Sequence, residues 1–238
     1  MTGGNLADGA SYFFEGVKLL SHPRLRLFII APITINIIVF VVLTVILINQ
    51  FSNIVNALTE WLPTWLTFLA WILSAIAAIF AVLIYGYCFS LITNLIAAPF
   101  YGMLAEKVES LVTGRKVNGE PLWQMIPRTL LRELAKLWYF IWRSILVFFL
   151  SFIPFVGQAI GFAWGSWSMA VQYTDYAADN HQWPFKRCRL RLKNQSWSSF
   201  GFGAMVMVGM MVPLLNIIVP TAAVIGGTVF WLEECEVD

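Results

Sequence analysis

The chain has 238 residues, of which 59% are hydrophobic and only 12% charged, and its mean hydropathy is +0.75. A water-soluble domain of this size could not cover its surface with so few charges, so a lipid bilayer is the simple solvent for it. The formal net charge of +2 is too small to mark a nucleic-acid partner. Three cysteines, Cys88, Cys188 and Cys235, stand far apart without a CxxC pair. They read as free thiols, not as a disulfide framework or a metal-ligand set.

Residues 5–20 alternate apolar Leu6, Tyr12, Phe13, Val17 and Leu20 with Asp8, Glu15 and Lys18, the pattern of an amphipathic helix lying in the membrane interface. Acidic Asp8 and Glu15, with no basic segment ahead of an apolar run, argue against a cleavable signal peptide. Ser21-His22-Pro23 reads as a helix start, with Ser21 as the N-cap. Residues 27–48 then carry no charge and form a first span, with Pro32 tolerated near its beginning. A polar connection follows over 49–65, and a second uncharged span over 66–92, with Trp61, Trp65 and Trp71 as its aromatic belt.

Residues 93–143 are charged. Within them, 99–113 keeps a helical period and extends the second span, with Asn94 and Pro99 marking the end of its membrane portion. Gly114 to Pro121 is a turn, and 124–143 forms a further amphipathic helix. Two apolar regions complete the chain: 144–171, broken at Ile153-Pro154-Phe155-Val156-Gly157, and 197–232, broken at Val212-Pro213-Leu214-Leu215-Asn216. An acidic tail, EECEVD, ends the sequence.

The basic residues set the topology. Of the fifteen Lys and Arg, three precede the first span, none lies in 49–65, seven lie in 93–143 and five in 186–193. The positive-inside rule then places the N-terminus and both basic loops in the cytoplasm, with 49–65 outside. Region 144–171, basic on both flanks, must return to the side it left. Its two limbs are too short to span separately, so it reads as a re-entrant hairpin. The same logic fits 197–232, where two true crossings would give the same end topology. The expected fold is therefore an all-α integral membrane protein, one membrane domain over 1–238, with two long transmembrane helices, two re-entrant hairpins and amphipathic interfacial helices. Broken backbone at membrane depth is tolerated where it is buried in protein or lines a wet cavity. Structure-only proteins seldom need such segments, so they favour a transport path over the competing reading of a wider membrane footprint.

Chemistry is sparse. There is no GxxxxGK[ST], HExxH or GxSxG motif, so nothing points to an enzyme or to a cofactor or metal site. His22 and His181 both sit in basic, juxtamembrane contexts and read as surface or interface residues. No acidic residue occurs from Gly16 to Thr59 or from Trp61 to Ala105. Proton coupling through a mid-span carboxylate is thereby disfavoured, and a channel-like path fits better. The candidate anion site is Pro23-Arg24-Leu25-Arg26. There a helix start offers unpaired N–H groups and the positive dipole end, and Arg24 and Arg26 add fork-shaped donors. Ordinary positive-inside anchoring is the competing reading of both arginines.

Five stretches carry a resemblance: FFEGVKLLSHP from residue 13, GYCFSLITNLIAAPFYGMLAE over 86–106, FIPFVGQ over 152–158, QYTDYAADNHQWPFK over 172–186 and VPLLNIIVP over 212–220. Through them the chain resembles the CysZ family of bacterial inner-membrane sulfate permeases over essentially its full length. The resemblance implies multi-pass insertion in the inner membrane, sulfate uptake for cysteine biosynthesis, and a homo-oligomer (dimer or higher) whose partners are sulfate and lipid. It also implies a sulfate site in a glycine–aliphatic–arginine motif at the start of the first span. Leu25 and Arg26 match the second and third positions of that motif, whereas Arg24 replaces the glycine, and Leu27 stands where many relatives have a second arginine. Within the matching segments Glu106, Arg128, Asp175, Asp179 and Asn180 adjoin the expected inserted helices. They either line a pore or form structural ion pairs. A membrane scaffold without transport activity is the alternative function.

Overall fold

The computed structural model describes residues 4–61, 67–115, 120–212 and 215–235. Every regular element among them is helical: α1 (Leu6–Leu19), α2 (Arg26–Trp61), α3 (Thr67–Val112), α4 (Leu122–Leu150), α5 (Val156–Asn180), α6 (Phe185–Asn194), α7 (Ser196–Met211) and α8 (Val219–Phe230). Short 3₁₀ turns at Pro23–Leu25 and Leu215–Ile217 and a π turn at Trp231–Cys235 complete it. The chain divides into two compact units, one of residues 1–31 and 98–238 and the other of residues 32–97.

The smaller unit joins most of α2 to the first two-thirds of α3. Phe40 meets Phe89 and Tyr85 edge-on, and the Tyr85 and Phe89 rings stack. The hydroxyls of Thr44 and Tyr85 share a hydrogen bond of 2.9 Å. Pairing 40 with 89 and 44 with 85 sets the two helices antiparallel. Their uncharged windows have mean hydropathies of 2.8 and 2.3, and only 12% of the first and none of the second is buried in protein. A core helix of a soluble protein would be covered, so the two helices are candidate membrane spans.

The polar connection expected at 49–65 is helical as far as Trp61, and α3 runs on through Asn94 and Pro99 to Val112, as the helical period of 99–113 predicts. Proline at position 99 removes one backbone donor without stopping the helix. Of the expected aromatic belt, Trp71 is exposed, whereas Trp65 and the side chain of Trp61 lie outside the described residues, as do 116–119 of the expected turn, Pro213 and Leu214 of the second break and residues 236–238 of the tail.

The larger unit is built around α8, which is buried along its whole length and packed against α1, α5 and α7. Small residues permit that approach. A Cβ added at Gly16 of α1 would stand 2.2 Å from the Ala222 carbonyl oxygen, and one at Gly203 of α7 only 1.8 Å from that of Ser166. The buried face of α1, Gly9, Tyr12, Phe13 and Gly16, therefore docks on protein, while Phe14 and Val17 remain exposed. The Tyr12 hydroxyl donates to Glu233 at 3.0 Å and Glu234 at 3.3 Å, fastening α1 to the acidic C-terminal turn.

The two broken apolar regions are helical hairpins, α4–α5 and α7–α8. They differ in what covers them. The α4–α5 tip exposes Phe148, Phe149, Phe152, Ile153 and Phe155, whereas the apolar residues of α8 are the unit's own core. The 3₁₀ turn before α2 is capped by His22, whose Nδ1 accepts from the Arg24 N–H at 3.3 Å. Ser21, the expected cap, instead donates its hydroxyl backwards to the Lys18 carbonyl at 3.0 Å.

Candidate functional site

The expected anion-binding residues sit where α2 begins. Leu25 is fully buried and anchors the turn, which leaves Arg24 and Arg26 exposed on either side of it. Among the described residues neither guanidinium makes an ion pair with a carboxylate. The backbone is less open than the sequence suggests: His22 accepts from Arg24 N–H through its ring and from Leu25 N–H through its carbonyl, the latter at 3.0 Å. The uncommitted donors here are thus chiefly side-chain guanidinium groups.

A second polar group lies between α4 and α5. Arg128, Arg132 and Lys136 recur every four residues on α4, as Asp175 and Asp179 do on α5, so each row faces the other along one helix stripe. Arg132 holds Asp175 bidentately, at 2.6 and 2.8 Å, and reaches Asp179 at 3.1 Å. Arg128 bridges Asp179 at 2.7 Å and Glu120 at 2.8 Å, and Thr129 donates to Asp179 at 3.1 Å. Lys136, almost wholly buried, pairs with Glu133 and lies 3.4 Å from Asp175 and 4.3 Å from the centre of the Tyr176 ring.

Burial alone would raise the Asp175 pKa. The Lys136 charge and the Arg132 hydrogen bonds outweigh it and hold that carboxyl below the ordinary range. At Asp179 burial prevails over Arg132 and Arg128, and the pKa is raised. The cations are matched by four carboxylates, so the ladder has no spare positive charge for an anionic ligand.

Of the expected polar residues, the structure joins Arg128, Asp175 and Asp179 in this ladder. Asn180 donates to the Gly102 carbonyl of α3 at 2.9 Å, and Glu106 stands outside the network. Beside it, His181 and Glu109 lie 3.0 Å apart. Arg132, Glu133, Lys136 and Thr129 were not singled out from sequence. The four-residue spacing of the α4 cations opposite Asp175 and Asp179 was the signal that could have found them.

Two long, apolar candidate spans, a protein-packed helical body and exposed guanidinium groups at the start of one of those helices define an all-α membrane protein with a candidate anion site. A family model described as Sulfate transporter CysZ/Etoposide-induced protein 2.4 matches residues 12–220. Among similar proteins, a protein named Sulfate transporter CysZ from Pseudomonas aeruginosa PAO1 is 40% identical, over 95% of both chains. Its namesakes from Pseudomonas fluorescens Pf0-1 and Vibrio parahaemolyticus are 42% and 37% identical, each over 95% of this chain and 94% of theirs. The chain belongs to the Sulfate transporter CysZ/Etoposide-induced protein 2.4 family.

Proposed function

We propose that this protein is a channel-like sulfate permease of the bacterial inner membrane, supplying sulfate for cysteine biosynthesis. The observation that carries this reading is the near-full-length similarity to proteins named sulfate transporters. Supporting a site there, Arg24 and Arg26, exposed on either side of buried Leu25 at the start of α2, have forked donors suited to an oxyanion. Arg24 takes the place that glycine holds in the motif of relatives, and its guanidinium replaces close backbone approach, which His22 already restricts.

In this reading α2 and α3 span the bilayer with the N-terminus and both basic loops in the cytoplasm. The α4–α5 hairpin dips its exposed aromatic tip into the cytoplasmic side of the membrane, and α1 lies in the interface through Phe14 and Val17. The α4–α5 ion-pair ladder is structural: it closes the base of the hairpin, and its carboxylates leave its cations no capacity for sulfate. Two spans per chain provide too little wall for an enclosed conduit, so the permease is a homo-oligomer. A dianion entering an inside-negative cell works against ~4.6 kcal/mol per 100 mV, so passive uptake relies on consumption inside. Expression in a bacterium stripped of its own sulfate uptake tests the proposal. Growth on sulfate as sole sulfur source supports it, and growth on cysteine alone rejects it in favour of a scaffold.

A further inference from the structure

Arg143 is the last charge on α4. From Ser144 to Thr174 the chain carries none, and Ile145, Leu146, Phe148 and Phe149 are exposed immediately beyond it. Trp138 and Trp142 are exposed just before and beside it, the composition of a membrane–water boundary. The Arg143 guanidinium lies over the Tyr139 ring, 3.9 Å from its centre, and donates to the Tyr139 carbonyl at 3.3 Å. The same ring takes a second guanidinium, that of Arg189 from α6, at 4.1 Å. Tyr139 is itself fixed, its hydroxyl accepting from Trp167 Nε1 at 3.1 Å and its ring meeting Phe185 edge-on.

Two cations on one ring repel each other, and the π-face attracts each without neutralising either. Among the described residues neither arginine has an ion pair with a carboxylate, in contrast to every cation of the α4–α5 ladder. The Nε of Arg189 is buried and has no hydrogen-bond partner. Around them α6 exposes Lys186, Arg187 and Lys193 and contains no acidic residue. The arrangement is net positive, and what continues from it is a surface for hydrocarbon.

We propose that Arg143 and Arg189, fixed on Tyr139, bind the phosphate of an anionic phospholipid whose acyl chains lie along Ile145, Leu146, Phe148 and Phe149. Guanidinium forks match phosphate oxygens, and the basic face of α6 favours an anionic over a zwitterionic headgroup. The continuity of the apolar surface selects a lipid over a free oxyanion. The proposal rests on the reading of the α4–α5 hairpin as membrane-inserted.

The test measures phosphatidylglycerol binding to the purified full chain by native mass spectrometry, with phosphatidylcholine and inorganic phosphate as comparators. R143Q/R189Q is expected to weaken phosphatidylglycerol binding by about tenfold or more and phosphatidylcholine binding, which the net positive charge does not favour, by clearly less. R143K/R189K, which keeps both charges and guards against a folding defect, should bind better than the glutamine pair. Unchanged phosphatidylglycerol binding in R143Q/R189Q, equal binding by the two double variants, or displacement of the lipid by inorganic phosphate overturns the proposal. A nitroxide on F152C in liposomes reports the hairpin separately. A label exposed to water removes the underlying reading and the lipid site with it. A label in the bilayer, with phosphatidylglycerol binding indifferent to R143Q/R189Q, removes the lipid site alone.

Discussion

At the scale of single residues, the α4–α5 ladder and the α2 start are opposites. Asp175 sits between Arg132 and Lys136 almost without exposure, so removing its charge takes the bidentate partner from Arg132 and leaves Arg132 to Asp179 and Lys136 to Glu133. Asp175→Asn is expected to cost about 2–3 kcal/mol, the loss of charge-assisted hydrogen bonds to cations that keep a second carboxylate, read as a lowered thermal midpoint in detergent. The pH dependence follows from the depressed Asp175 pKa. Its contribution is complete above the unfolded carboxylate value of about 4, and it is lost as pH falls through the lower folded value. Asp179, whose pKa burial raises, works in the opposite sense: the folded state holds that proton more tightly, so acid favours folding there. Thermal midpoints at neutral and acid pH should show a steeper acid limb in the parent than in Asp175→Asn, and equal limbs would count against the ladder. Arg26 has no carboxylate partner among the described residues. Arg26→Ala should leave the thermal midpoint within about 1 °C, the small effect expected of an exposed side chain. Its sulfate affinity at low salt should fall about tenfold, the loss of one charge-assisted contact. Unchanged affinity would move the site elsewhere.

At the scale of elements, helix approach is set by missing side chains. Gly16→Leu would drive a side chain into the Ala222 backbone, which cannot yield as a flexible side chain could. The expected result is detachment of α1 from α8 and loss of a monodisperse elution peak, whereas the same change at exposed Gly86, with open space around its Cβ, should be tolerated. The sequence made the helices, their apolar stretches and the α4–α5 break legible, because length without charge and a Pro/Gly interruption are local signals. Three features were not legible. The amphipathic face of α1 reads alike for lipid and for α8, since both are apolar. The hydrophobicity of α8 reads alike for lipid and for a protein core, and only the fold shows α1, α5 and α7 covering it. Ser21 and His22 compete for one cap, and only the turn geometry gives it to His22. The site divided in the same way: Arg128, Asp175 and Asp179 were picked individually, and their pairing emerged only when two helices faced each other.

At the scale of the whole molecule, charge asymmetry and conduction are the two claims to check. Cysteine labelling by a membrane-impermeant reagent should find positions 186–193 protected in intact cells and reactive in inside-out vesicles. Reaction from outside would invert the topology and remove the hairpin's reason to turn back. Conduction is tested most directly by purified protein in liposomes with an outward-to-inward gradient of labelled sulfate and no ATP or imposed proton gradient. The account predicts sulfate entry well above that of protein-free liposomes, reduced by Arg26→Ala. Entry no faster than in protein-free liposomes, from protein that is folded and inserted, would contradict it.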